Sequence, residues 1–365
     1  MRVVVATDRY PALTSAQAGA AMATAWAERH VQVAVVPLGN ALEGFHSALA
    51  DLVAAPSTLV STDNGVAQVI EAPLGNDTES PEELLVAIRP EHNPAGPGID
   101  QSAGTAGLGR LVRAVVDGAR TRGRVVQIVL ELGDIAAHDG GAGLLGALGA
   151  SADRTLDEGV AGLRGISAVD VSLALGWLDG ATLELVVPSG EHTKHLVGLK
   201  GITSVRGHAA GLDAALLLAT DQALVDLAAA VGQPKLATTA GAGAAGGVGF
   251  AVLALGGAVA TGAAHLAARA GLAGTIARAD LVVTGGAQLD FGTMGGDVLT
   301  TVLAMATGAL RPVVVVAGEN FISARELRSI GVEAAYSVQA VGQGEPIDAD
   351  ALLSATRPVA ASWTW

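Results

Sequence analysis

Uninterrupted apolar runs alternate with alanine-rich amphipathic stretches along much of this chain. Residues 3–6 (VVVA) form the first run. Thr14 and Ser15 can cap a helix over 16–29, and residues 31–36 (VQVAVV) return as a strand. The same spacing recurs: a helix over 105–120 leads into 124–130 (RVVQIVL), one over 262–278 into 281–284 (LVVT), and 313–317 (VVVVA) into a helix over 323–330. Continuous rather than alternating apolar strands, separated by helices, predict a parallel sheet covered on both faces. Two segments break this rhythm. Residues 74–101 are a loop-like mixture of Pro, Asn, Asp, Glu and Gly, and residues 165–205 hold strand candidates such as 183–187 (LELVV) without alternating helices. The expected class is therefore α/β with two domains. Residues 1–50, 100–150 and 275–365 form a Rossmann- or flavodoxin-like domain, and 51–99 with 151–274 form a second, inserted α/β domain. The terminal ASWTW is expected as a tail or an apolar tag docked on the surface.

Composition narrows the chemistry. The chain has 365 residues, no cysteine and a formal net charge of −14. Disulfides, zinc–thiolate sites and cysteine nucleophiles are excluded, and a nucleic acid or anionic membrane is disfavoured as a partner. No apolar run reaches membrane-spanning length, and the N-terminus lacks a signal peptide pattern, so the expected location is cytoplasmic. Lys194, Lys200 and Lys235 are the only lysines. Any phosphate must be held by arginines, backbone amides, a metal or one of these.

Ligands of open parallel sheets bind beyond the carboxyl ends of the strands. Asp8, Asn40 and Glu43, Asp134 to Asp139, Gly285 to Asp290, and Glu319 with Asn320 all follow predicted strands. Residues 139–149 (DGGAGLLGALG) place an acid before a glycine turn that opens a helix. Asp139 there is either a helix cap or part of an anion site. In residues 239–250 (TAGAGAAGGVGF), Gly241, Gly243 and Gly246 match G-x-G-x-x-G. The preceding LATTA is a poor strand, however, and no acid stands about 20 residues on to hold a ribose. Tight packing and phosphate binding both remain open for it. Among the eight histidines, His138 beside Asp139 is the best functional candidate, and His192 and His195 read as a polar loop.

In family order, several segments resemble the bacterial type-1 glycerate kinases. GAGAAGG (241–247), DGGAG (139–143), ADLVVTGGAQLD (279–290), HLVGLKG (195–201) and ATDRYPALTSA (6–16) carry the resemblance across nearly the whole chain. It implies a cleft between two α/β domains and transfer of phosphate from ATP, with Mg2+, to D-glycerate or a related small hydroxy acid. Carried over by position, Asp8 and Asp290 are implied as catalytic. Ser15, Glu43, His138, Asp139, Gly140, Gly141, Lys200, Gly241, Gly243, Gly246, Gly247 and Thr293 are implied in binding substrate or nucleotide, and Asp290 or Glu191 could meet the metal. The chain also departs from the pattern. Pro11 and Ala210 stand where the family has lysine, Asn40 replaces an aspartate, and Gly286 and Gln288 replace glutamate and arginine. Two functions follow: a kinase, or a kinase-like protein that has lost transfer and binds a small metabolite or regulates a partner.

Overall fold

A computed structural model describes residues 1–74, 83–91, 94–96, 98–290 and 296–364. In chain order its strands are β1 (Arg2–Thr7), β2 (Gln32–Pro37), β3 (Ser57–Thr62), β4 (Gly65–Pro73), β5 (Glu83–Pro90), β6 (Arg124–Glu131), β7 (Ser151–Ala152), β8 (Val169–Asp170), β9 (Thr182–Val187), β10 (Ala258–Thr261), β11 (Leu281–Leu289), β12 (Val313–Asn320) and β13 (Ala334–Ser337). The chain divides into two units, one of residues 1–54 with 261–365 and the other of residues 55–260.

The first unit is built on a five-stranded sheet in the order β13-β12-β11-β1-β2, with every neighbouring pair parallel. Its apolar runs pair in register, Val3 beside Leu281 and Val33, and Val283 beside Val314. Helix Ser15–Ala27 starts at a capping box, in which Thr14 and Gln17 each bond the other's backbone N–H. Met22 and Trp26 of that helix pack on Val3, Val5, Val314 and Leu352. Leu352 belongs to helix Ala349–Ser362, after which Trp363 donates to the Tyr336 hydroxyl at 3.0 Å and is thereby tied to the unit. The helix expected over 262–278 is two, Gly262–Arg269 and Leu272–Ala277, parted by the left-handed Gly271.

The second unit holds a six-stranded mixed sheet in the order β10-β9-β6-β5-β4-β3. Strands β3, β4 and β5 form antiparallel pairs, while β5–β6 and β6–β9 are parallel. Two expectations change here. Residues 100–150 lie in this unit, because β6 pairs with β5 and β9 rather than with the first sheet. The stretch expected as a loop over 74–101 contains β5, whose Leu84 to Ile88 are buried between two neighbours. Among the described residues, no helix is long and apolar enough to cross a membrane.

Candidate active site

The first sheet leaves β1 in two directions, toward β2 on one side and, after the inserted unit, toward β11 on the other. Such a reversal opens a crevice beyond the carboxyl ends of the two central strands. Asp8 stands there. Its backbone N–H donates to the Gly285 carbonyl at 2.9 Å, and the Thr7 hydroxyl donates to the same oxygen at 2.9 Å. The Asp8 carboxylate accepts from its neighbour's amide, Arg9, at 2.7 Å and from the Asn40 side-chain amide at 2.9 Å. Burial pushes this carboxyl up to about 6, and Glu43 on the adjoining loop adds to the rise; the Arg9 amide and charge and the Asn40 amide oppose it. A carboxylate so placed is a base whose proton affinity lies close to neutral pH.

Asn40 and Glu43 reach Asp8 because the loop after β2 folds tightly, with the Glu43 and Phe45 amides both donating to the Asn40 carbonyl. Opposite, Gly286 leaves the space beside Asp8 clear; a β-carbon built there lies 3.5 Å from that of Asp8. Ser15 begins helix Ser15–Ala27 and is 1% exposed, and its hydroxyl has no hydrogen-bond partner among the described residues. Asp290 follows β11 at the same end of the sheet and is partly buried. Thr293 lies outside the described residues.

In the second unit, the loop after β6 is organised by a buried arginine. Arg206 donates to the carbonyls of Ala137 at 2.9 Å and Ile135 at 2.8 Å, and it pairs with Asp134. It also reaches His138 Nδ1 at 3.3 Å. Arginine has only donors, so Nδ1 accepts and the imidazole proton sits on Nε2, directed at the Thr203 hydroxyl 2.9 Å away. Burial, reinforced by the Arg206 charge, drives His138 down to about 3. The ring is neutral throughout the physiological range and fully enclosed. Lys194 pairs with Glu191 and lies 3.5 Å from Asp134, while Glu191 also accepts the Ala245 amide at 3.1 Å. Two cations and two carboxylates thus neutralise one another. Lys200 sits exposed on the turn before Gly201.

Asp139 is completely buried. One carboxyl oxygen accepts from the Thr105 amide at 2.8 Å, the Thr105 hydroxyl at 2.9 Å and the Gly143 amide at 3.0 Å, and the other accepts from Gly141 at 3.0 Å. Burial raises this carboxyl above the usual range against those donors. The arrangement clasps the starts of helices Ala106–Arg120 and Ala142–Leu148 together. Its cap is spent on the chain itself.

The glycine segment answers the question its sequence poses. Gly241, Gly243, Gly246 and Gly247 are all buried. Residues 245–247 take left-handed conformations in succession, at φ 50°, 67° and 99°. A side chain on Gly246 would overlap the Ala137 carbonyl, and one on Gly247 would overlap the α-carbon of Gly140. The Gly140 amide donates to the Gly246 carbonyl at 3.3 Å, and the Gly243 amide to that of Lys194 at 3.0 Å. GAGAAGG and DGGAG therefore interlock backbone against backbone. Asp139, Gly140, Gly141 and the four glycines expected at substrate or nucleotide lie inside the unit, where they hold chain to chain. Glu191 is engaged by Lys194 and an amide rather than held open for a metal. Among the described residues no cluster of three or more His, Asp or Glu gathers to hold one.

The glycerate kinase family model matches residues 3–356. An uncharacterized protein of Mycobacterium bovis is 30% identical over 354 residues, covering 93% of this chain and 84% of its own. A protein of Bacillus cereus named glycerate kinase is 26% identical over 350 residues, covering 93% and 90%. A crystal structure from Salmonella typhimurium LT2, assigned as a glycerate kinase 2, matches with a TM-score of 0.73 at 24% identity, over 99% of this chain and 98% of that one. At that identity the last likeness bears on the fold alone.

Proposed function

The chain belongs to the glycerate kinase family, and on that premise we propose that it moves the γ-phosphoryl group of ATP onto a hydroxyl of D-glycerate or of a closely related small hydroxy acid. The observation that carries this reading is Asp8, a partly buried carboxylate at the strand-order reversal with its proton affinity raised to about 6. The acceptor oxygen bonds to the γ-phosphorus, the bond from that phosphorus to the bridging oxygen breaks, and ADP leaves. Asp8 takes the hydroxyl proton. Asn40 and the Arg9 amide fix the orientation of the carboxylate, and Gly286 keeps the approach to it free of side chain.

Mg2+ fits the donor set, since carboxylate oxygens suit a hard cation and Asp290 stands at the same end of the sheet. Without a cluster of three acids or histidines among the described residues, the ion would be held by Asp290 together with the nucleotide's phosphates. It would neutralise charge on those phosphates. Every other step above belongs to the chain's own residues.

A second reading rests on a specific observation. Lys194 and Arg206, beside the glycine segments of the second unit, are committed to the chain's own carboxylates Glu191 and Asp134. On this reading the protein retains ligand binding and has lost transfer. Purified protein with Mg-ATP and D-glycerate separates the two. ADP release that needs the acceptor supports the kinase, and binding of both ligands without release supports the second reading.

A further inference from the structure

A pocket of about 350 Å3 opens in the first unit at the carboxyl ends of β11 and β12, lined in part by Gln288, Glu319, Gln339, Glu345, Pro11 and Ile347. Its volume lies in the range of small-molecule sites. Glu319, 6% exposed, forms one wall and accepts the Gly342 amide at 3.0 Å. That bond ties down the loop carrying Gln339 and Glu345, and the Gln339 amide donates to the Gly318 carbonyl at 3.1 Å. Gln288 leans toward Glu319, its side-chain amide 3.4 Å from the carboxylate. Among the described residues, neither Arg nor Lys lines this space. Pro11 and Gln288, neutral where the family resemblance gives lysine and arginine, contribute to that absence.

The lining chemistry is specific in what it rejects and what it accepts. Two carboxylates with no cation repel a phosphate or a carboxylate. Two carboxamides can each give and accept a hydrogen bond at the edge of a nucleobase, as glutamine does with adenine. A carboxylate at the end of a parallel strand suits the hydroxyls of a ribose. Proline and isoleucine offer flat apolar surface to a base. We infer that this pocket holds the uncharged nucleoside end of ATP, with the base against Gln288 and Gln339 and the ribose hydroxyls against Glu319 or Glu345.

Position supports the assignment. Gln288 stands two residues beyond Gly286 on β11, and Gly286 borders Asp8. Two strand residues span about 7 Å, a distance that a phosphate chain leaving the pocket crosses to reach Asp8. The inference rests on the kinase reading for the identity of the ligand, and its test is independent of turnover.

The probe is adenosine, titrated into the full-length protein by calorimetry with tripolyphosphate as a parallel arm. Adenosine is expected to bind and to compete with ATP, while tripolyphosphate leaves adenosine binding undisturbed. Gln339→Ala and Glu345→Ala, both in a surface loop, should each weaken adenosine about tenfold, the loss of one or two hydrogen bonds. Their thermal midpoints should match that of the parent. In an ADP-release assay the same variants should raise KM for ATP and leave kcat in place, as expected when uniform binding is lost. Absence of adenosine binding at millimolar concentration, or equal affinity in both variants, overturns the assignment. Turnover without adenosine binding removes the pocket and keeps the kinase. Adenosine binding without turnover does the reverse.

Discussion

Replacing Asp139 tests whether its carboxylate serves the fold or a ligand. Asp139→Ala leaves the amides of Thr105, Gly141 and Gly143 without an acceptor, in a place with no solvent. A buried donor so abandoned costs about 1–3 kcal/mol. Three of them sum to several kcal/mol, and removal of a desolvated carboxylate returns part, for a net loss of about 3–5 kcal/mol. That is a large share of the roughly 5–15 kcal/mol that holds a domain folded. Asp139→Asn keeps one accepting oxygen but turns an NH2 toward amide donors, and about 2–4 kcal/mol should be lost. Urea denaturation gives the magnitude, and hydrogen exchange by mass spectrometry gives the location. Exchange should accelerate in peptides covering 103–120 and 137–148 and stay unchanged in residues 2–7 of the other unit. A variant within about 0.5 kcal/mol of the parent, with protection intact and catalysis lost, would refute the clasp and restore Asp139 to a ligand.

The remaining expectations address other parts of the molecule. Asp8 is an acid with a raised folded-state pKa, so the folded form binds its proton more tightly than the unfolded chain does. Its contribution to stability is therefore greatest below about 4 and declines as pH rises through about 6. Asp8→Asn should thus stabilise the protein at pH 8, by up to about 3 kcal/mol, with no difference near pH 3, as melting curves at both pH values will show. Lower stability of the variant at pH 8 would contradict the raised proton affinity. Gly246→Ala forces a methyl into the Ala137 carbonyl at a left-handed position and should cost about 3–5 kcal/mol. Gly256→Ala, equally left-handed but open to space, should cost only about 1–2 kcal/mol by the same urea assay. Lys194→Met strips the buried Glu191 of its ion-pair partner and should lose about 2–4 kcal/mol. KM for ATP should move less than twofold in that variant, since the cation is occupied internally.

Runs such as 3–6, 281–284 and 313–317 were legible as buried parallel strands because nothing polar interrupts them. Run 124–130, broken only by Gln127 after its opening Arg124, reads the same way, yet it belongs to the other sheet. A short apolar run records burial on both faces, and its neighbours are fixed by contacts distant in sequence. Strand β5 was hidden because LLVAI is flanked by Glu83, Arg89 and Pro90 in a stretch rich in loop formers. Asp8 and the strand-end glycines were legible from position alone. The Arg206–His138–Thr203 chain was not, since its members are 65 residues or more from His138 in sequence. GAGAAGG had two readings open in composition, and the approach of Ala137 and Gly140 to its backbone gives the glycines a packing reason that composition could not supply. Gln339 and Glu345 carried no signal, because the pocket they line is assembled from segments distant in sequence, among them β11, β12 and the residues after Tyr10.

On the proposed function, Asp8 accepts a proton during phosphoryl transfer. The direct measurement is acceptor-dependent ADP release with Mg-ATP and D-glycerate from pH 5 to 8, for the parent and Asp8→Asn. The parent's kcat/KM should climb about tenfold per pH unit below about 6 and level off above it, and the variant should fall by about 10²–10⁴. A flat profile with activity retained in Asp8→Asn would contradict Asp8 as the base, and no acceptor-dependent release from the parent at any pH would contradict the kinase.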